Sequence, residues 1–242
     1  MNVTQQEIAA ALRDERTRLV SYLESLPEAA WDKPTLCEGW TVRDLVSHLI
    51  GNAADMVALN VEGAGSPEYN QRQITERAGR SPAELLAEWA EQGPAFEATI
   101  EALDDTFWNT PYLEFGTVGE ALQRFVEDIW VHAQDIRIPL GDGPVPGPGL
   151  DAVLDIIARD LPQRCARLAP DVASVRIRTD GSDRDVGVSG RGTSVEIGGD
   201  PVAIALAGTG RVPLETAVSD GEVSVTPSAP AGFADALNIY GP

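Results

Sequence analysis

The chain contains two histidines, His48 and His132, and the second follows Asp128 by four residues. That spacing places an acid and an imidazole on one face of a helix. With Val118 as origin and an advance of about 100° per residue, the apolar stripe of this segment centres near Ile129 and Ile136. Asp128 and His132 fall in or beside that stripe, whereas Glu127 points the other way. An unpaired carboxylate facing a bundle core loses several kcal/mol of hydration, so Asp128 needs compensation. An ion pair, a hydrogen bond or a shared metal ion would each supply it. His48 sits at the edge of its own stripe, in line with Asn52 and Asp55. Two imidazoles and one carboxylate suit Zn²⁺, Ni²⁺ or Fe²⁺, and three protein ligands leave a position open for water or substrate. A structural Asp/His pair with an unrelated edge histidine fits the same spacing, and both readings stand at this point.

Other side chains offer less. Cys37 and Cys165 form no C-x-x-C pair, which removes thiol-redox and cysteine-rich zinc motifs; Cys37, in the loop before the helix of His48, is within reach of the site, but both are read as small packed residues. Arg124 lies one turn before Asp128 and is placed to meet an anionic substrate or cofactor carboxylate, or to serve as a surface arginine. Asp55 is the nearest candidate base for a metal-activated water. The run Gly141 to Gly149 has no strand before it and no Gly-Lys-Ser/Thr after it, so it is not a phosphate loop.

Four amphipathic helices must carry these residues. Ile8, Leu12, Leu19, Leu23 and Leu26 define a helix over 5–26. Thr41 as N-cap with Asp44 three residues on begins a second, over 41–60, that carries His48. Glu62 to Arg80 reads as a long connection, and Ser81-Pro82-Ala83-Glu84 starts a third helix to about 103. The fourth, over 117–137, holds Asp128 and His132. Trp31 and Leu36, between the first two helices, are placed to pack over a bundle end.

Prolines and glycines fill 141–149 and end this region. A helix over 150–167 follows, then alternating runs at 173–179 and 193–197, a helix at 201–208 and a short strand at 222–225. The expected fold is an N-terminal four-helix bundle over 1–140 followed by a smaller α+β domain with an antiparallel sheet over 150–242.

Lys and Arg total 18 against 38 Asp and Glu in 242 residues, a formal charge of −20. That sign repels phosphate backbones and anionic lipid, so neither nucleic acid nor membrane is an expected partner. No apolar run approaches the roughly 20 residues that cross a bilayer. The opening Met1-Asn2-Val3-Thr4-Gln5-Gln6-Glu7 lacks the basic start and apolar core of a signal peptide, so a cytoplasmic location is expected, as monomer or small homo-oligomer.

The stretch Leu36-Cys37-Glu38-Gly39-Trp40-Thr41-Val42-Arg43-Asp44-Leu45-Val46-Ser47-His48-Leu49 resembles a signature of the mycothiol-dependent maleylpyruvate isomerase family, within the DinB-like helical superfamily. Asp128-Ile129-Trp130-Val131-His132-Ala133-Gln134-Asp135-Ile136 resembles its second signature, an acid four residues before a histidine with Asp three later. The C-terminal part is similar, less specifically, to the sterol-carrier-like α+β domain of that family. This resemblance implies His48, Asp128 and His132 as metal ligands and as the catalytic centre, zinc as the usual ion, and mycothiol as thiol cosubstrate. Asp135 would orient an imidazole or cap a neighbouring helix. The family usually has Glu where this chain has Asp128, one methylene shorter. The implied activity is thiolate addition to a small electrophilic substrate, ending in cis–trans isomerisation or S-transfer. The competing readings are a non-catalytic metal- or small-ligand-binding protein and a metal-dependent hydrolase.

Overall fold

A computed structural model describes residues 3–113, 116–181, 183–188 and 192–241. These form two compact units, Met1–Gly149 and Leu150–Pro242.

In the first unit α1 (Gln5–Ser25), α2 (Val42–Ala58), α4 (Pro82–Glu101) and α6 (Val118–Leu140) form the bundle, joined by the shorter α3 (Pro67–Glu76) and α5 (Asp105–Trp108). All four bundle helices start in the same way. Thr4, Thr41, Ser81 and Thr117 each accept from the backbone N–H three residues on, and Glu7, Asp44, Glu84 and Glu120 reach back to the cap. Each reciprocal pair satisfies two orphan donors, a contribution of about 1 kcal/mol per cap. At the other end of α6, Gly141 adopts φ 86°, a left-handed C-cap that glycine takes without a Cβ penalty.

The stripes meet as the periodicity requires: α1 packs on α4 and α6, and α2 on α4 and α6. Leu12, Leu23, Leu45, Ile50, Leu85, Trp89, Ile100 and Ile136 are all buried. Trp31 is buried as expected at the bundle end, but Leu36 is 42% exposed, because its segment is held by the main chain: Leu36 N–H donates to the Asp135 carbonyl at 3.0 Å.

The connection expected over 62–80 contains α3, which packs on α2. Ser66 caps it through the Tyr69 N–H, and Pro67 takes the first helical position. Tyr69, Gln73 and Ile74 make a narrow buried face, enough to fix a helix whose other residues are polar.

Segment 142–149 is strapped to α1 and α6. Tyr22 donates to Asp142, Arg137 to the Gly143 carbonyl, Trp130 to the Val145 carbonyl and Arg18 to the Pro146 carbonyl. In return Val145 N–H donates to Gln134 and Gly149 N–H to the buried carboxylate of Glu15. α7 (Pro148–Leu168) begins within the run expected to be irregular, with Pro148 first, where a missing N–H costs nothing.

In the second unit α7 is followed by a four-stranded sheet of β1 (Val172–Arg178), β2 (Asp183–Gly187), β3 (Thr193–Gly199) and β4 (Val223–Thr226) in the order β2-β1-β3-β4. The α+β layout is the expected one. The sheet is antiparallel at both outer pairings but parallel between β1 and β3, which corrects the wholly antiparallel expectation. β2 is the reason: it turns back on β1 as a hairpin, so the chain re-enters on the other side of β1 in β1's own direction. β2 escapes the sequence pattern because Asp183, Arg184 and Asp185 leave Val186 as its buried apolar residue. Val175, Ile177, Val195 and Ile197 pack one face. α8 (Pro201–Gly208), capped by Asp200, is buried from Val202 to Gly208, and α9 (Leu214–Ser219) and α10 (Phe233–Leu237) complete the unit. Among the described residues no helix is long and apolar enough to cross a membrane.

Candidate metal centre

His48 on α2 faces Asp128 and His132 on α6. His132 Nε2 lies 3.2 Å from Asp128 Oδ1, and His48 Nε2 lies 3.7 Å from Asp128 Oδ2. The two imidazoles meet edge to face, centroids 5.5 Å apart, and Trp40 covers His48 at 5.2 Å. One ligand atom from each of the three residues lies within 4.8 Å of the others. Atoms bound to one zinc ion at about 2.0–2.2 Å sit about 3.3–3.6 Å apart in a tetrahedron, so the spacing fits a single ion.

The hydrogen-bond network sets which nitrogen of each ring faces that point. Gln73 on α3 donates its amide nitrogen to Asp55 Oδ2 at 2.7 Å and to Asn52 Oδ1 at 3.1 Å. A carboxylate only accepts, so Gln73 Oε1 is the atom 2.8 Å from His48 Nδ1, and that nitrogen must donate. His48 Nε2 keeps its lone pair on the side of Asp128, where it accepts from Asn52 Nδ2 at 3.3 Å. His132 Nδ1 is 2.8 Å from Asp135 Oδ2, again an acceptor, which leaves Nε2 toward Asp128. Both imidazoles are thus held from behind in the manner of metal-bound histidines. Asn52 donates to Asp128 Oδ2 at 3.0 Å and fixes the third candidate ligand.

Charge follows from the same contacts. Burial pushes the His48 pKa down, against the opposing charge of Asp128. Burial alone would also lower His132, but the Asp128 charge and hydrogen bonds to Asp128, Asp135 and Cys37 hold it well above the usual imidazole range. Asp128 stays below the usual carboxylate range because the charge and hydrogen bond of His132, with help from His48 and Asn52, outweigh its burial. Protonation is thus favoured at His132 and disfavoured at His48, and a divalent cation bound here would compete with the His132 proton.

Several expectations need revision. Cys37 is not packing material: it is half-buried, donates to Asp135 Oδ2 at 3.3 Å and lies 3.7 Å from His132 Nδ1. Cys165 does behave as a packed thiol, buried and with its pKa pushed up to about 11 by desolvation. Glu127, expected to point away from the apolar stripe, is itself buried, with Arg124 Nη1 at 3.9 Å. Arg124 thus sits beside Glu127 and is not drawn into the His48–Asp128–His132 group. Asp55 is occupied by Arg72, Gln73 and Asn60. Burial tends to raise its pKa, but these partners hold it below the ordinary range, which makes it a weak base.

Gln73, the partner of His48 in this group, is not among the residues expected from the sequence. Its approach depends on Gly51, because a Cβ at 51 would lie 2.6 Å from Gln73 Cβ and Cγ. The available signal was Ser66-Pro67-Glu68, the same cap, proline and acid pattern that marks α4.

The class defined here is a four-helix bundle, in which two histidines and a carboxylate that could hold a metal ion converge across α2 and α6. Residues 12–137 match the model of the mycothiol maleylpyruvate isomerase N-terminal domain, more than half of the chain, and the protein belongs to that family. Two uncharacterized proteins of Mycobacterium tuberculosis, from strains CDC 1551 / Oshkosh and ATCC 25618 / H37Rv, are each 28% identical over 146 residues, which cover 54% of this chain and 56% of theirs. The chain spans little more than half the length of these curated relatives. The crystal structures of a mycothiol-dependent maleylpyruvate isomerase and of a histidine-to-alanine mutant of it superpose with a TM-score of 0.65 over 96% of both chains at 16% identity, a likeness of fold.

Proposed function

We propose that the protein is a metal-dependent enzyme that uses a low-molecular-weight thiol, mycothiol by family, to act on a small electrophilic alkene. Addition of the thiol, rotation about the resulting single bond and elimination would give cis–trans isomerisation. Release of the adduct would give S-transfer. Maleylpyruvate, named for the solved isomerase, is the first substrate to try.

The observation that supports this reading is the pair of imidazoles whose Nδ1 atoms are engaged by Gln73 and Asp135 while both Nε2 atoms converge on Asp128. His48, Asp128 and His132 would hold the ion, and zinc suits this donor set. A divalent ion held there would lower the pKa of a bound thiol toward neutrality, which is the chemistry this reading asks of it. Asn52 keeps Asp128 aimed, and Asp135 stabilises the His132 ring from behind. Arg124, beside Glu127, is the remaining candidate for a cofactor carboxylate. The two units would correspond to a DinB-like bundle over 1–140 and a sterol-carrier-like domain over 150–242, working in the cytoplasm as monomer or small homo-oligomer.

The hydrolase reading loses its base, since Asp55 is engaged on all sides. The test is turnover of maleylpyruvate by metal-loaded protein with and without mycothiol. Turnover that requires the thiol and collapses in His48→Ala supports the proposal. Equal turnover without thiol would move it to metal-activated water, and metal binding with no turnover of any such alkene would leave a binding protein.

A further inference from the structure

We propose that Cys37, Asp135 and the Nδ1 atom of His132 form a second cation site, suited to a thiophilic divalent ion, on the edge of the His132 ring that faces away from Asp128. It stands apart from the catalytic reading above and shares with it only this imidazole. Cys37 Sγ lies 3.3 Å from Asp135 Oδ2 and 3.7 Å from His132 Nδ1, and the two α6 atoms are 2.8 Å apart. As in the His48 group, one ligand atom from each residue lies within 4.8 Å of the others. A tetrahedral ion held at about 2.0 Å by nitrogen and oxygen and about 2.3 Å by sulfur keeps its donors about 3.3–3.5 Å apart. Both sulfur contacts are already close to that spacing, so binding has only to open the contact between His132 and Asp135.

The thiol is placed by the main chain around it. Leu36 N–H donates to the Asp135 carbonyl at 3.0 Å, which pins the loop before α2 onto α6. Cys37 N–H donates to Thr35 Oγ1 at 3.2 Å, and the Cys37 carbonyl accepts from Trp40 N–H at 3.0 Å, so the residue is fixed on both sides. On α6, His132 and Asp135 stand three residues apart and share a face. Cys37 is half-buried, which gives an ion access, whereas the Asp135 side chain has no exposed surface. A carboxylate so placed gains from a cation beside it.

The donor set chooses the ion. A thiolate, an imidazole nitrogen and a carboxylate suit Zn²⁺, Co²⁺ or Cd²⁺, whereas Mg²⁺ and Ca²⁺ take oxygen donors. An incoming ion replaces the hydrogens on Cys37 Sγ and His132 Nδ1, both directed at Asp135 Oδ2, and both leave as protons. With another ion on Nε2, His132 would bridge the pair as an imidazolate. Two divalent charges on one ring repel, so each weakens the other. At trace metal a single ion is held, and the second requires added metal.

The experiment titrates metal-free, full-length protein with Cd²⁺, reading stoichiometry by equilibrium dialysis and the thiolate-to-cadmium charge-transfer band by ultraviolet absorption. Wild type is expected to bind two equivalents, the weaker at least ~10-fold below the stronger, and to show the band. Cys37→Ser should bind one and lose the band. Cys165→Ser, a change in the other unit, should keep both equivalents and the band. His48→Ala should retain the sulfur-bound equivalent with its band, so failure of the His48–Asp128–His132 group and failure of this site read differently. If Cys37→Ser does not fold, alkylation of wild type by iodoacetamide, mapped by mass spectrometry, supplies the answer: Cd²⁺ should slow labelling of Cys37 ~10-fold or more, because a coordinated thiolate is a poor nucleophile. A single equivalent in wild type with no band that depends on Cys37, or labelling of Cys37 unchanged by Cd²⁺, overturns the proposal.

Discussion

Gln73 Oε1 lies 2.8 Å from His48 Nδ1, and the nitrogen of the same amide reaches Asp55 at 2.7 Å. Asp55, which is not a ligand candidate in this geometry, thereby decides which nitrogen of His48 faces Asp128. The chain of consequence is short: an acceptor-only carboxylate orients an amide, the amide orients a ring, and the ring presents a lone pair.

Gln73→Leu is expected to lower metal affinity about 10- to 100-fold without removing a ligand, as loss of a partner behind a metal-bound histidine commonly does. Gly51→Ala should act in the same direction by forcing Gln73 off α2. Competition with a chelator measures both. Unchanged affinity in Gln73→Leu would mean that His48 needs no support from α3.

Asp128→Glu should retain or strengthen metal binding, since it keeps the charge and restores the length usual in the family. Asp128→Asn should weaken it, because a neutral amide oxygen is a poorer donor to a divalent cation. The same competition assay reports both, and equal affinity for Asn and Asp would remove this side chain from the coordination sphere.

Much of this arrangement is legible in the amino-acid sequence. The capping pairs at Thr41/Asp44 and Ser81/Glu84, the stripe through Ile129 and Ile136, and the alignment of His48 with Asn52 are local signals, written within a few residues of where they act. α3 and β2 are hidden because each buries few apolar residues: Tyr69 and Ile74 in one, Val186 in the other. Gln73 is hidden for another reason, and the packing reading of Cys37 fails for the same one. Their partners, His48 at 25 residues' separation and Asp135 at 98, are set by packing, and no period in the sequence encodes which polar side chain lands on which ring.

Glu15→Gln is expected to stabilise the protein at neutral pH. Burial raises the Glu15 pKa despite the Gly149 N–H it accepts and the charge of Arg18. A group whose folded pKa lies above its unfolded value contributes stability below the unfolded value, and that contribution is lost as pH rises through the folded one. The glutamine keeps an acceptor for Gly149 and carries no charge to bury. Its melting temperature should exceed wild type at pH 7 and converge with it near pH 4; a constant difference across that range would contradict the assignment.

Thr117→Ala removes the side-chain cap of the helix that holds Asp128 and His132, and should cost about 1 kcal/mol of stability. Chemical denaturation reads it directly. Because Asp128 and His132, the candidate ligands, lie three and four turns inside α6, metal content should not change, and a variant that folds with full stability would show that the cap is dispensable.

The central claim, that His48, Asp128 and His132 hold one divalent ion, is tested most directly by metal analysis of wild type and His132→Ala purified in parallel. The expected result is about one ion per chain in wild type and far less in the variant, with the fold retained by circular dichroism. Stoichiometric metal surviving in His132→Ala, or none in wild type after incubation with zinc, would contradict it.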